Sequence, residues 1–174
     1  MILTEIPRAI ARHLKTVDFF RTPIEIPVIA LCEKDIISVV EADMARLGIS
    51  VTVQVTGARR EGSNYAPGCQ RLSPINIAVM CREHIEVNRS PNIGSGVACE
   101  SVIEAAIANL VGVLLTDEDG NKLVLSPLQF DEASQEDDPD GLYSWTALFS
   151  TSGLLKAEDM TQLTEQEPLQ PLPI

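Results

Sequence analysis

Aromatic residues make up only 4% of this chain, with one Trp, two Tyr and four Phe among 174 residues. The core must therefore be built from Ile, Val, Leu and Ala, and each large ring becomes conspicuous by its position. Basic residues are scarce as well: thirteen Lys and Arg face twenty-five Asp and Glu, for a formal charge of -12. Such a chain repels nucleic acid at long range, which argues against a role that depends on gripping phosphates. No apolar run approaches the ~18 residues that a membrane span needs, and Met1–His13 lacks the basic-then-apolar order of a signal peptide. The expectation is a soluble chain, intracellular when made, with no membrane partner. Cys32, Cys69, Cys81 and Cys99 include no C-x-x-C pair, so neither a zinc site nor a redox motif is signalled and reduced thiols are expected.

What is present suffices for one domain: 45% of the residues are apolar, enough for a genuine core but not comfortably for two. Ile6, Ile10 and Leu14 recur at four-residue spacing and predict a helix over Thr4–Leu14, with Thr4 as cap and Pro7 in the first turn. Pro23 and Pro27 bracket an extended segment that continues as a short strand through Val28-Ile29-Ala30-Leu31. A second helix runs from an Asp35 cap to a stop at Gly48, with Ile36, Val40, Met44 and Leu47 as its apolar stripe. From Ile49 the period drops to two, and Ile49, Val51, Val53 and Val55 form the buried face of a strand.

Gly57–Ser73 holds three glycines, Pro67 and the bases Arg59, Arg60 and Arg71, and reads as a long loop. Loops of that length inside a domain are usually functional or disordered, so it is expected to be a contact arm. A strand over Ile75–Cys81 follows, then a polar loop, and then a helix over Val97–Val111 capped by Ser95 or Gly96 and stopped by Gly112. Asp119-Gly120 marks a turn, followed by strands at Lys122–Phe130 and Leu142–Thr151 joined by an acidic loop. Tyr143, Trp145, Ala147 and Phe149 share one face of the last strand. The folded core is expected to end near Thr151–Gly153. Residues 153–174 then form a tail with three prolines and four acids against Lys156, too polar to offset its own ordering entropy.

The expected fold is thus α+β: a mixed, mainly antiparallel sheet of about four strands with helices on one face, a long loop arm and a disordered acidic tail, in a domain over residues 1–152. Few residue sets in it invite chemistry. Glu136, Asp138, Asp140 and Gly141 fit the first positions of a calcium loop, but Ala147 stands where a bidentate Glu is required, so a solvated acidic loop is the better reading. Cys69 and His84 form the one thiol–imidazole pair worth naming, yet nothing brings them together and no orienting third group follows. Glu33 and Glu83 read as solvated strand-end charges and His13 as a helix-end residue. No catalytic residue, metal or cofactor is expected. Asn88-Arg89 has two readings: a turn with Asn88 left-handed and Arg89 in water, or an Arg89 that bridges to an acid of a neighbouring subunit. Trp145 is either a sheet-packing residue or an interface anchor.

An N-terminal helix, an alternating strand, a strand closing on an N-R loop, a helix across the sheet and a hairpin ending in an aromatic strand follow one another from Thr4 to Thr151. In order and spacing this resembles the tail-terminator (tail-completion) proteins of long-tailed bacteriophages and related contractile injection systems. The resemblance implies a structural subunit of a ring, usually a homo-hexamer, that caps the finished tail tube, stops its growth and joins it to the head–tail connector or neck. The partners implied are other copies of the chain, the tube protein, the connector, the sheath where the tail contracts, and DNA passing through the lumen. The location implied is the virion tail or neck, reached from the host cytoplasm during assembly. Within that picture Arg59, Arg60 and Arg71 would face Asp131–Asp140 of the next subunit, including Asp137, Asp138 and Asp140. The alternative is a free-standing acidic adaptor that binds another protein without closing a ring.

Overall fold

The four-residue spacing of Ile2, Ile6, Ile10 and Leu14 puts one apolar stripe on helix α1 (Ile2–Thr16), and all four side chains are buried. In this computed structural model, which describes residues 2–62, 68–137 and 142–156, α1 starts two residues earlier than expected. Thr4 is therefore inside the helix rather than capping it, and Pro7 falls in the second turn. A single 3₁₀ turn, Asp18–Phe20, then buries Phe20 and leads to the short strand β1 (Val28–Ala30). Helix α2 (Ile36–Leu47) ends at Gly48 as the sequence predicts. Asp35 occupies its N-cap position but makes no side-chain capping bond. Of the α2 stripe only Leu47 is fully buried, and Ile37, outside that stripe, is 72% exposed. The α2 helix meets the next strand through Met44, whose Sδ accepts from Ser50 Oγ.

Strands β2 (Ile49–Arg60) and β3 (Cys69–Glu83) form one long antiparallel hairpin. The expected loop Gly57–Ser73 is thus mostly strand. Gly57 and Pro74 hid it from the sequence pattern, because the ladder accommodates both at register shifts between Val55 and Gly57, Ala58 and Arg60, and Leu72 and Ile75. Residues 63–67 lie outside the described residues. A four-residue helix α3 (Ile85–Asn88) and helix α4 (Cys99–Leu110) follow. Ala98, not Ser95 or Gly96, stands at the N-cap of α4, and Val102, Ile103, Ala106 and Leu110 are its buried face.

The last two strands are displaced from their expected positions. Residues 112–128 are an irregular connection with one bridge, Thr116 to Lys122, closed by Asp117, whose carboxylate accepts from the backbone of Asp119 and Asn121. Strand β4 spans Gln129–Asp137 and so runs through the stretch that reads as an acidic loop. Both faces of β4 are largely exposed, which erases the period-two signal, and charge on an edge strand is a common guard against unwanted pairing. Strand β5 (Tyr143–Lys156) continues past Thr151 because it pairs with β3 as far as Cys69. Residues 157–174 of the expected tail lie outside the described residues.

The result is α+β: a mixed five-stranded sheet in the order β1-β2-β3-β5-β4, parallel only between β1 and β2. Val51, Val53, Ile77, Val79, Ala147 and Phe149 join the stripes of α1 and α4 in a single core. None of the described helices is long and apolar enough to cross a membrane.

Candidate interaction site

Glu83 ends β3 in phase with Ile75, Ile77, Val79 and Cys81, so its carboxylate enters the core side of the sheet, where the side chain is fully buried. A buried charge of that kind is tolerated only if it is paired and hydrogen-bonded. Three residues supply this. Arg89 Nε donates to Oε1 at 2.9 Å, Asn88 Nδ2 donates to the same oxygen at 2.8 Å, and the Cys99 backbone N–H donates to Oε2 at 3.1 Å.

Asn88 is the hub of this clasp. It is fully buried at the end of α3, and its Nδ2 also donates to the Val97 carbonyl at 2.8 Å. Its Oδ1 accepts from Ser95 N and Ser95 Oγ, and Ser95 Oγ in turn accepts from Val97 N. One amide therefore ties the strand end, the polar loop and the approach to α4 together. The left-handed turn read for Asn88 does not occur, and Arg89, half exposed, is turned to Glu83 of its own chain rather than left to water alone.

Burial pushes the Glu83 carboxyl up, but the Arg89 and Asn88 side chains and the Cys99 N–H outweigh it and hold the group below the usual carboxylate range. The linkage has a definite sign. A depressed carboxylate contributes stability that is present at neutral pH and lost as pH falls through its folded pKa. Thermal melts of the wild type and of Glu83→Gln should therefore differ most at neutral pH and converge below about pH 4, where carboxylates protonate. A difference that grows on acidification would contradict the clasp.

The aromatic strand meets the same corner. Tyr143 is the register partner of Glu83 and Trp145 of Cys81. Tyr143 Oη donates to Glu100 Oε1 at 2.6 Å and accepts from Trp145 Nε1 at 3.0 Å. The bond to Glu100 raises the Tyr143 pKa from its ordinary value. Cys99 Sγ donates to the Cys81 carbonyl, both thiols are free and buried in the core, and burial pushes the Cys81 thiol well up.

The structure thus joins Asn88, Arg89 and Trp145, three of the residues singled out by sequence, into one corner. The arm residues are elsewhere. Arg59 and Arg60 are exposed at the far end of β2, roughly 35 Å along the strand from Ile49. Arg71 pairs with Glu61 across the hairpin at 2.7 Å. Asp137 closes β4, while Asp138 and Asp140 lie outside the described residues. Cys69 and His84 flank opposite ends of the fifteen-residue β3, which separates them by about 45 Å, too far for joint chemistry. His13 Nε2 lies 3.0 Å from the Asn109 carbonyl, linking α1 to α4. Among the described residues no His, Cys, Asp and Glu group is placed to hold a metal ion.

Glu83, expected as a solvated strand-end charge, is instead buried because it continues the inward alternation of β3, and Ser95, Glu100 and Tyr143 are members that sequence reasoning did not assign to this corner. Glu83 left a readable signal, an acid that continues an apolar alternation by one more step. Both oxygens of Glu83 accept from partners within the corner, the Arg89 and Asn88 side chains and the Cys99 N–H, so the arrangement ties β3, α3 and the start of α4 together. No protein-family model matches the chain. No curated protein matches it either.

Proposed function

We propose that this chain is a subunit of a closed ring that caps a phage tail tube, terminates its growth and meets the head–tail connector or neck. The observation that carries this reading is the division of the surface: a β2–β3 hairpin ends in exposed Arg59 and Arg60, while the opposite sheet edge, β4, exposes Asp131, Glu132 and Glu136. Opposite charge at opposite edges suits a head-to-tail contact between identical copies, the kind that closes into a ring when the rotation allows. The order of elements that resembles tail terminators supports the same reading, with the tube, the connector, a sheath in contractile tails and passing DNA as partners. The proposed location is the virion tail or neck, with assembly in the host cytoplasm.

Native mass measurement of the purified protein, alone and mixed with tail tubes, tests this. A closed multiple of the 18.9 kDa chain bound at tube ends is the expected result. A monomer in both settings would sink the ring. The exposed apolar residues Ile37 and Val39 on α2 favour one second reading, an acidic adaptor that binds another protein without closing a ring.

The arm arginines offer a separate check. Arg59→Gln with Arg60→Gln should slow assembly at low salt by about tenfold or more and flatten its salt dependence, since complementary charge chiefly sets encounter rates. Adding Arg71→Gln should change little further, because Arg71 is matched by Glu61 within the hairpin. Light scattering at two salt concentrations reads both effects, and identical curves for wild type and variants would remove the arm from assembly.

A further inference from the structure

Strand β1 covers β2 only at Val51–Val53, so from Gln54 to Arg60 the outer side of β2 has no neighbouring strand among the described residues. The open positions follow from the ladders. Val51 N donates to Pro27 O and Val53 O accepts from Leu31 N, so both residues aim their main-chain groups away from β3. Their partners Cys81 and Val79 therefore turn toward β5, and so do Ile77 and Ile75 further along β3. Val55 and Ala58, which pair with Ile77 and Ile75, accordingly face outward on either side of a register shift. Glu61 N donates to Arg71 O, a bond that flanks the Arg60–Leu72 pair, so Arg60 faces outward too. Among the described residues nothing bonds to the outward main-chain groups of Val55, Ala58 or Arg60. Beside them lies a groove of about 380 Å³ lined by Leu3, Pro7, Leu31, Val55 and Ala58. Arg59 and Arg60 are exposed and make no ion pair among the described residues.

The sequence that follows β5 has the chemistry of an edge strand for this place. Pro171 and Pro173 stand two residues apart, so in an extended strand both missing N–H groups fall on one side, while Gln170, Leu172 and Ile174 keep theirs on the other. Gln170 and Leu172 each precede a proline, which biases them to extended backbone. Glu158, Asp159, Glu165 and Glu167 come before this stretch, and no Lys or Arg follows Lys156.

We propose that residues 169–174 fold back on the chain's own β2 as an antiparallel edge strand, with Gln170 opposite Arg60, Leu172 opposite Ala58 and Ile174 opposite Val55. The outward groups of β2 then gain main-chain partners. Directly opposed residues share a face, so Leu172 and Ile174 enter the groove beside Leu3 and Pro7. Leu31 already holds Val53, the next outward position, so the added strand runs no further than Val55. Pro168 falls beyond Arg60, where β2 stops, and the four acids lie at the Arg59–Arg60 end. A parallel strand would have to enter through the place that Leu31 and β1 occupy. The reach suffices: Lys156, opposite Cys69, lies roughly 18 Å from the added position, three residues and three strand spacings away. Residues 157–169 span up to ~43 Å, and so short a tether favours the chain's own β2 over that of a second copy. With prolines on its far side, the added strand closes the edge to further pairing. This inference stands apart from the ring reading.

Cross-linking and amide exchange test the pairing. A hydrogen-bonded antiparallel pair places its Cα atoms about 5.5 Å apart, within disulfide range. In the full chain with Cys32→Ser and Cys69→Ser, Ala58→Cys with Leu172→Cys should close to a disulfide-bonded monomer under oxidised glutathione. Ala58→Cys with Pro173→Cys, whose thiol turns to the opposite face, should close at least about fivefold more slowly. Leu172→Asp with Ile174→Asp should speed exchange of the Val55, Ala58 and Arg60 amides by about tenfold or more and leave those of Val51 and Val79 unchanged. Equal closure rates for the two cysteine pairs, or unchanged exchange in the Asp variant, would overturn the proposal. Covalent dimers in place of closed monomers would put the segment on a second copy and overturn docking on the chain's own β2. The native mass of the protein decides the ring separately, so either reading can fail alone.

Discussion

Replacing Asn88 by Asp should destabilise the fold by about 4 kcal/mol, because two buried donors become an acceptor facing a carboxylate. The change is isosteric, so packing is untouched. What disappears is the Nδ2 contact to Glu83 Oε1 and to the Val97 carbonyl, and what appears is an oxygen set against an oxygen with the Glu83 side chain fully buried. For a domain of this size the midpoint should drop by roughly 10 °C or more. Part of the loss should return on mild acidification, when one of the paired carboxyls takes up a proton. Thermal melts followed by circular dichroism at two pH values measure both. A variant that melts within 2–3 °C of wild type, a shift worth only ~1 kcal/mol, would show that the clasp is marginal.

Gly48→Ala should be nearly as damaging, though it removes no interaction. Gly48 ends α2 at φ +69°, a conformation that a side chain strains, and an added Cβ would overlap the backbone nitrogen and Cα of Asn88. Backbone cannot swing aside as a flexible side-chain tip can, so α3 must shift and its bonds to Glu83 must lengthen. The expected cost is roughly 3 kcal/mol or more, read by urea unfolding at neutral pH. An unchanged urea midpoint would mean that α3 is free to move, contrary to a rigid corner.

Elements with a single buried stripe were readable, and the reasons are local. Ile6, Ile10 and Leu14, or Ile49, Val51 and Val53, reveal their period because one side meets a core and the other meets water. Strand β4 could not be read this way, since Gln129, Phe130, Asp131, Glu132, Ser134, Gln135 and Glu136 are all exposed and no alternation is imposed on them. The hairpin was lost at Gly57 and Pro74, residues that stand for breaks in a regular ladder and for bulges in this one. At the corner, Asn88, Arg89 and Trp145 stood out by type. Their convergence did not: Glu83 bonds Asn88 and Arg89 five and six residues away once its side chain is buried, and Glu100, Tyr143 and Trp145 join only through contacts of α4 and β5 with β3 that span up to about sixty residues.

The sheet order has a consequence for the making of the protein. Strand β5 lies between β3 and β4, yet it is the last of the five to leave the ribosome. From the completion of β3 at Glu83 to the arrival of Tyr143, synthesis takes about 3–12 s at ordinary elongation rates. Throughout that interval Ile77, Val79 and Cys81 sit on a strand with one side unpaired, on a nascent chain that already holds about two thirds of the residues of its hydrophobic core. The window favours capture by a holding chaperone, and it makes chains that terminate before Tyr143 prone to inclusion bodies whatever their remaining length.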